Sequence, residues 1–215
     1  MPIRLVIFDL DGTLIQSNIQ YEEIRKRLKY MLREYLSEQD YKEILEKKIS
    51  ILELIELIER FSQDEEKSKN ALKIVEDFEF KGYKDAYVFP ETYEVLKRLK
   101  KMGINIAILT NNSRNLTSYA LKHYNLSEFI DAVVTRDDIE KRKPDPEGLN
   151  MLIEKFGVDK NECIFIGDAW LDAEAANNAQ IKFIRFLPKE EAASRQKAHA
   201  NSVIITKLSE IFLYI

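Results

Sequence analysis

Two aspartates, Asp9 and Asp11, stand one residue apart directly after an apolar run, in the stretch VIFDLDGTL. A carboxylate at the end of a buried strand costs free energy unless a cation, a proton or a hydrogen-bond donor compensates its charge. Two neighbouring carboxylates also repel each other. The pair therefore predicts a bound cation, a held proton or a reaction at this point of the chain.

Polar side chains also follow two later apolar runs. Thr110 and Asn111 come directly after INIAIL, and Asp168 comes after CIFIG, with Asp172 one helical turn later. Lys143 lies in the loop KRKPDP, where the proline that follows it keeps the lysine in an extended segment. In an open α/β sheet, ligands bind beyond the carboxyl ends of the strands, so we expect these side chains to converge on one edge.

Each of these motifs has a purely structural explanation when it is taken singly. Threonine and asparagine often end strands as turn formers, KRKPDP could be a solvated basic loop, and Asp168 could cap a helix. The conjunction is more informative, because an acid pair, a threonine, a lysine and a second acid pair occur in this order beyond predicted strands. We therefore interpret the four motifs as one active site.

The elements that must position these residues alternate along most of the chain. The run IRLVIF is short and rich in β-branched residues, which is typical of a buried strand. Pro90 and Gly103 bracket a helix, and further strands and helices alternate up to VIIT near the end of the sequence. This alternation predicts an α/β fold: a Rossmann-like, three-layer core with a mainly parallel sheet between helices.

An insert of different character separates the first strand from the rest, with neither glycine nor proline between Ser17 and Gly82. Its apolar residues repeat with helical spacing, which predicts an all-helical segment. Two capping-box patterns, Ser17 with Gln20 and Ser62 with Glu65, predict helix starts. The predicted domains are an α/β core (residues 1–16 and 82–215) and an inserted all-helical cap (residues 17–81).

Composition excludes several classes of partner. The net charge of -4 argues against a general nucleic-acid binder, which usually carries a basic excess. Apolar runs are broken well before the length that a membrane-spanning helix requires. Cys163 is the single cysteine, so no internal disulfide can form, and this fits a reducing cytoplasm. We expect a cytoplasmic protein with no nucleic-acid and no membrane partner, and its oligomeric state is not indicated by the sequence.

The motif set resembles the haloacid dehalogenase superfamily, specifically its phosphatase branch with a helical cap, similar to phosphoglycolate phosphatases. The matching residues are Asp9-Leu10-Asp11-Gly12-Thr13, Thr110-Asn111, Lys143-Pro144, and Gly167-Asp168 with Asp172. Two departures are visible. Gln16-Ser17 stands where this branch often has Asp-Ser, and Gln180 stands where a glycine commonly ends the helix after the last motif.

The resemblance implies a role for each motif residue. Asp9 is then the nucleophile that forms an aspartyl-phosphate, and Asp11 is the general acid for the leaving group and the base for water. Mg²⁺ is implied as cofactor, bound by Asp9, the backbone carbonyl of Asp11, and Asp168, while Asp172 orients the metal site or binds through water. The residues implied to hold the phosphoryl group are Thr110, Asn111 and Lys143.

These roles predict a Mg²⁺-dependent phosphatase of a small phosphorylated metabolite. A sugar phosphomutase with the same motifs is the nearest alternative, because its chemistry also passes through a phosphorylated aspartate. A phospho-accepting signalling module is a third possibility, but such modules place adjacent acids after the first strand, whereas Asp9 and Asp11 are spaced. A dehalogenase is disfavoured, because halide removal needs no acid at Asp11. The identity of the phosphorylated substrate, and the cap residues that contact it, do not follow from the sequence.

Overall fold

The computed structural model describes residues 2–188 and 203–215. It divides into two compact units, one formed by Met1–Ser17 with Tyr87–Ile215 and the other by Asn18–Ala86. The strands are β1 (Leu5–Phe8), β2 (Ile15–Gln16), β3 (Tyr87–Val88), β4 (Asn105–Leu109), β5 (Ala132–Val134), β6 (Cys163–Gly167), β7 (Lys182–Phe186) and β8 (Val203–Ile205). The α-helices are α1 (Tyr21–Met31), α2 (Glu38–Glu46), α3 (Ile51–Ser62), α4 (Glu65–Lys84), α5 (Thr92–Lys101), α6 (Arg114–His123), α7 (Glu147–Phe156) and α8 (Trp170–Ala179).

The first unit contains a parallel sheet with the strand order β5-β4-β1-β6-β7-β8. Phe8 at the end of β1 pairs with Ile108 on one side and with Ile166 on the other. Because the three strands run in the same direction and in this register, the residues that follow them emerge at one edge. The prediction of an α/β core with a parallel sheet is confirmed, including a short strand at VIIT.

Strand β1 is fully buried at every position, from Leu5 to Phe8. Leu5 and Ile7 belong to the hydrophobic cluster that α7 and α8 complete from one face of the sheet. Val6 and Phe8 point to the opposite face, where α5 packs on neighbouring β4. Since helices cover both faces, a continuous apolar run is required here, and an alternating pattern would place polar groups in the core.

A small antiparallel pair, β2 with β3, holds together the two ends of the helical insert. Ile15 pairs with Val88 and Gln16 pairs with Tyr87. The backbone N–H of Phe89 also donates to the carbonyl of Leu14, at 3.1 Å. The chain therefore leaves the first unit and returns to it at adjacent positions.

The second unit consists of α1 to α4, which pack through apolar faces that include Leu28, Leu54 and Val75. Helix α4 continues through Gly82 and ends at Lys84. A Cβ on Gly82 would lie 2.7 Å from the backbone of Ile19. This close approach of two backbone segments, and not a change of domain, explains the glycine.

Both predicted capping boxes of the insert are wrong. Helix α1 begins after Gln20 without a side-chain cap, and α4 is capped by Asp64, whose Oδ1 accepts from the N–H of Glu66 at 2.8 Å. The capping box of the insert is instead formed by Ser50 and Glu53 at the start of α3. Serine and glutamate at this spacing are common in a charged helical segment, so the pattern alone does not select the true start. Among the described helices, none combines the length and the apolar character needed to cross a membrane.

Candidate active site

Asp9 continues β1 by one residue beyond the end of the strand. Its N–H donates to the carbonyl of Ile166 on β6 at 2.8 Å, and this bond fixes the backbone from which the carboxylate projects. The residue is 6% exposed, so its charge is largely removed from water. A buried carboxylate requires a compensating partner.

Lys143 is that partner. Its Nζ donates to Oδ1 of Asp9 at 2.6 Å, to Oδ1 of Asp172 at 2.6 Å and to the carbonyl of Leu109 at 3.3 Å. These three acceptors match the three protons of an ammonium group. The lysine enters from the loop between β5 and α7, and its side chain is 4% exposed.

The charges at this site are strongly coupled. Burial raises the pKa of Asp9 well above its usual range, Lys143 opposes this effect, and the carboxylates of Asp172 and Asp168 add to it. Burial by itself would lower the pKa of Lys143, but the adjacent Asp172 and Asp9 outweigh burial and hold the pKa of the ammonium above its usual value. Lys143 is therefore a permanent cation between two carboxylates.

Asp172 lies in the first turn of α8. Its Oδ2 accepts from the N–H of Ala169 at 3.0 Å, and its Oδ1 accepts from Lys143, so both oxygens have a fixed orientation. A Cβ on Gly167 would lie 2.6 Å from the Cγ of Asp172. Only glycine at position 167 permits this close packing of the carboxylate on the end of β6.

Gly12 makes a comparable contact with Asp168. It has φ +85, in the left-handed region, and a Cβ there would lie 2.6 Å from the Cγ of Asp168. The carbonyl of Asp168 accepts from Nε of Arg185 on β7 at 3.0 Å. The first and last motifs are therefore in contact, and a basic residue that the sequence reasoning missed supports the second of them. The signal was a second basic residue, after Lys182, within the strand sequence IKFIRF.

Carboxylate oxygens of Asp9, Asp168 and Asp172 lie within 4.8 Å of one another. Hard oxygen donors at this spacing suit Mg²⁺ or Ca²⁺. When all three carboxylates are ionised, Lys143 neutralises one of them. The two negative charges that remain are balanced by one divalent cation. The donor set and the charge therefore both fit a divalent metal ion.

Asp11 is placed differently from Asp9. Its Oδ1 accepts from the N–H of Ser17 at 3.0 Å, so this carboxylate orients the last residue before the helical unit. Its carboxylate oxygens are not part of the close group formed by Asp9, Asp168 and Asp172.

Thr110 and Asn111 follow β4, as the sequence predicts. The N–H of Thr110 donates to the carbonyl of Val134 at 3.0 Å, and its Oγ1 accepts from the N–H of Asn112 at 3.2 Å. Asn111 donates from Nδ2 to the carbonyl of Lys143 at 3.5 Å, and its buried Oδ1 has no hydrogen-bond partner within the described part of the chain. A buried acceptor without a partner costs about 1–3 kcal/mol, so this oxygen favours a donor supplied by ligand or water.

The protein is thus an α/β protein. At the carboxyl edge of its parallel sheet, a cluster of carboxylates surrounds one buried lysine. Residues 6–186 match the family model described as haloacid dehalogenase-like hydrolase. This match covers most of the chain. The chain therefore belongs to the haloacid dehalogenase-like hydrolases, and the resemblance of its motifs to that superfamily is confirmed.

Relatives of similar length share 30% and 31% of the sequence. Pyrophosphatase PpaX of Bacillus velezensis is 30% identical over 213 residues, which covers 97% of this chain and 94% of the relative. Pyrophosphatase PpaX of Bacillus mycoides is 31% identical over 215 residues, which covers 98% of this chain and 96% of the relative.

Solved structures share the fold at lower identity. A HAD-superfamily hydrolase of subfamily IA, variant 1, from Geobacter sulfurreducens has a TM-score of 0.65 and 21% identity, covering 99% of this chain and 96% of that chain. A predicted phosphoglycolate phosphatase from Haemophilus somnus has a TM-score of 0.68 and 18% identity, covering 99% and 97%.

Proposed function

We propose that this chain is a Mg²⁺-dependent phosphatase that hydrolyses a small phosphorylated metabolite through an aspartyl-phosphate on Asp9. The observation that carries the proposal is the buried Lys143, bonded to Asp9 and Asp172 beside the carboxylate of Asp168. Catalysis of phosphoryl transfer depends largely on positioning and on cations around the oxygens of the transferring group. A fixed ammonium next to a carboxylate and a divalent-metal site meets that requirement.

Asp9 and Asp168 would hold the metal ion together with the backbone carbonyl of Asp11, and Asp172 would orient the metal site or bind through water. When bound, Mg²⁺ supplies positive charge that reduces the repulsion between the carboxylate of Asp9 and a phosphate dianion.

In the first step, a carboxylate oxygen of Asp9 forms a bond to phosphorus while the bond from phosphorus to the leaving oxygen breaks. Asp11 gives its proton to that oxygen. In the second step, the ionised Asp11 takes a proton from water, and the water oxygen bonds to phosphorus as the aspartyl bond breaks. Inorganic phosphate leaves, and both aspartates return to their initial state. Lys143, Thr110 and Asn111 hold the phosphoryl oxygens throughout.

Pyrophosphate is a specific candidate substrate, because the relatives that share 30% and 31% of the sequence over nearly their full length are named pyrophosphatases. Its hydrolysis needs no change in the mechanism, since the leaving group is then a second phosphate. A sugar phosphomutase remains the alternative within the family. It would pass the phosphoryl group from Asp9 to a sugar hydroxyl and not to water.

A cytoplasmic location is part of the proposal. The thiol of Cys163 is buried, and its Sγ donates to the carbonyl of Asp159 at 3.3 Å. Burial, with smaller effects of Glu162 and Asp159, raises the pKa of Cys163 to about 11. The thiol is thus structural, and the chain offers no second cysteine for a disulfide.

Phosphate release from a panel that includes pyrophosphate, phosphoglycolate, hexose 1-phosphates and an aryl phosphate tests the proposal. The protein is first stripped with chelator and dialysed, then assayed with and without Mg²⁺. We expect turnover to require the added metal, and full activity in excess chelator contradicts the proposal. Isomerised sugar phosphate in large excess over free phosphate favours the mutase. Mass spectrometry of Asp11→Asn after a short incubation with substrate should detect phosphorylated Asp9.

A further inference from the structure

The loop that carries Lys143 is anchored by a side chain outside the motifs. Glu147, the first residue of α7, accepts two backbone hydrogen bonds from that loop. Its Oε1 accepts from the N–H of Glu140 at 3.0 Å, and its Oε2 accepts from the N–H of Lys141 at 2.9 Å. Both carboxylate oxygens are thus bonded to the backbone two and three residues before Lys143.

Further bonds close the same loop on the far side of the lysine. The N–H of Glu147 donates to Oδ1 of Asp145 at 3.0 Å, and the N–H of Asp145 donates to the carbonyl of Arg142 at 2.9 Å. Nδ2 of Asn178 on α8 donates to the carbonyl of Pro144 at 3.0 Å. The loop is therefore fixed at its entry by Glu147 and at its exit by the start of α7 and by α8.

A fixed backbone is important here because of the length of the lysine side chain. Holding a long lysine side chain in one conformation costs side-chain entropy, and a mobile backbone increases that cost. Lys143 must place one ammonium group within hydrogen-bond distance of Asp9, Asp172 and, during turnover, a phosphoryl oxygen. An anchor for the residues just before it reduces the number of positions that the ammonium can sample.

We infer that Glu147 is a positioning residue for Lys143, and that its paired backbone bonds hold the loop where the ammonium reaches the phosphoryl group. The inference rests on the proposed function, in which Lys143 binds that group. Glu147 is not a helix cap, because its carboxylate accepts from the N–H groups of Glu140 and Lys141, which precede the helix by several residues.

The same two backbone bonds lower the pKa of Glu147. The carboxylate is therefore ionised at neutral pH, and each of its bonds to the loop is charge-assisted.

Glu147→Gln tests the inference with almost no change in side-chain volume. The amide retains one acceptor oxygen but turns its NH₂ group toward the other N–H, so one of the two bonds is lost. Glu147→Asp keeps the charge near the start of α7 but is too short to reach both N–H groups. Glu94→Gln is the matched control, since it also removes a charge from the first turn of a helix, at an exposed position of α5.

Amide hydrogen exchange and kinetics are measured on the full-length protein with Mg²⁺. For Glu147→Gln and Glu147→Asp we expect faster exchange in the peptide covering residues 139–146. We also expect kcat/KM for an aryl phosphate to fall about tenfold, within the loss that a small misplacement of reacting groups produces. Glu94→Gln should change neither quantity. Faster loop exchange with kcat/KM within twofold of wild type overturns the inference, and so does an equal loss for Glu94→Gln.

A double-mutant cycle separates positioning from a general structural effect. Orthovanadate affinity is measured for wild type, Glu147→Gln, Lys143→Ala and the double variant. If Glu147 acts through Lys143, Glu147→Gln weakens affinity in the wild-type background and has no further effect when Lys143 is absent. An equal effect in both backgrounds overturns the inference.

Failure of the proposed function is recognised separately, because the wild type then releases phosphate from no ester. In that case the accessibility of the Lys143 amine is measured directly, as its rate of acetylation divided by that of Lys101, an exposed lysine outside the loop. A higher ratio in Glu147→Gln supports positioning of Lys143 by Glu147, and an unchanged ratio overturns it.

Discussion

The ammonium of Lys143 lies 2.6 Å from Oδ1 of Asp9, and both side chains are almost completely buried. The same nitrogen lies 2.6 Å from Oδ1 of Asp172. One cation thus forms ion pairs with both Asp9, which follows the first strand, and Asp172, in the first turn of α8. Asp9 is therefore held in a fixed position before any substrate binds, but its charge is only partly neutralised, which leaves it able to bind a metal ion.

Asp9→Asn should abolish turnover while leaving stability nearly unchanged. We expect kcat to fall by about 10³-fold or more, because the amide cannot act as the nucleophile. The free energy of unfolding should change by no more than about 1 kcal/mol, since the introduced amide still offers an oxygen to Lys143, and Asp172 still compensates the ammonium. Urea unfolding and steady-state assays measure the two quantities. Retention of more than a few per cent of activity would falsify the assignment of Asp9 as nucleophile.

Lys143→Ala should reduce both activity and stability, whereas Lys141→Ala should change neither. Removing Lys143 leaves the carboxylates of Asp9 and Asp172 buried without their cation, a loss of about 3 kcal/mol in chelator that Mg²⁺ should partly offset. Lys141 is exposed and lies in the same loop, so it controls for the local charge. Denaturation with and without Mg²⁺, together with kcat/KM, distinguishes the two. Equal losses for both variants would mean that the basic loop acts as a diffuse patch.

Gly12→Ala should displace the carboxylate of Asp168, because the new Cβ would lie 2.6 Å from its Cγ. We expect Mg²⁺ affinity and kcat/KM to fall by roughly tenfold to a hundredfold, as misplaced reacting groups cause. Gly103→Ala is the control, since it has a similar φ, +72, with nothing within 4 Å of the added Cβ. That variant should lose about 1 kcal/mol of stability from backbone strain alone. Unchanged Mg²⁺ affinity in Gly12→Ala, measured by calorimetry, would show that the contact has no role in the metal site.

Asp138→Asn should remove part of the acid sensitivity of the fold. Burial tends to raise the pKa of Asp138, but hydrogen bonds from Thr135 and the guanidinium of Arg114 outweigh it and hold the pKa below its usual value. Since the pKa is lowered by folding, Asp138 stabilises the protein above the unfolded pKa of about 3.9 and loses this effect as pH falls through the folded value. The variant should be about 1 kcal/mol less stable than wild type at pH 7, with a smaller difference below pH 4. Parallel stability curves across that range would contradict this account.

Replacing residues 18–86 with a short Gly-Ser linker should spare some turnover of an aryl phosphate and reduce discrimination among metabolites. Ser17 directly follows β2 and Tyr87 is the first residue of β3, so a few residues can connect them without disturbing that pairing. We expect the inserted helical unit to determine which substrate is accepted. Circular dichroism establishes that the shortened chain folds. A folded variant with an unchanged substrate ranking would show that the helical unit is not the selector.

The positions of the strands and motifs along the chain could be predicted from the sequence, because they depend on local pattern. Buried parallel strands are continuous apolar runs, and their carboxyl ends share an edge, so Asp9, Thr110 and Asp168 could be assigned to one edge before any contact was known. Gln180 shows the limit of this reasoning. It stands where the family commonly has a glycine, yet it still adopts φ 61 and ends α8 in the left-handed conformation.

Tertiary structure decided the contacts between elements that are distant in sequence. No spacing rule indicates that Lys143 bridges Asp9 and Asp172, or that Glu147 binds the loop before that lysine, because these bonds depend on how the loop and α8 meet the sheet. The helix starts of the insert were also decided there, since the patterns at Ser17 and Ser62 do not cap a helix, whereas Ser50 and Glu53 form a capping box. Sequence pattern determines the side to which each strand end points, whereas distances between charged groups depend on packing that involves the whole core.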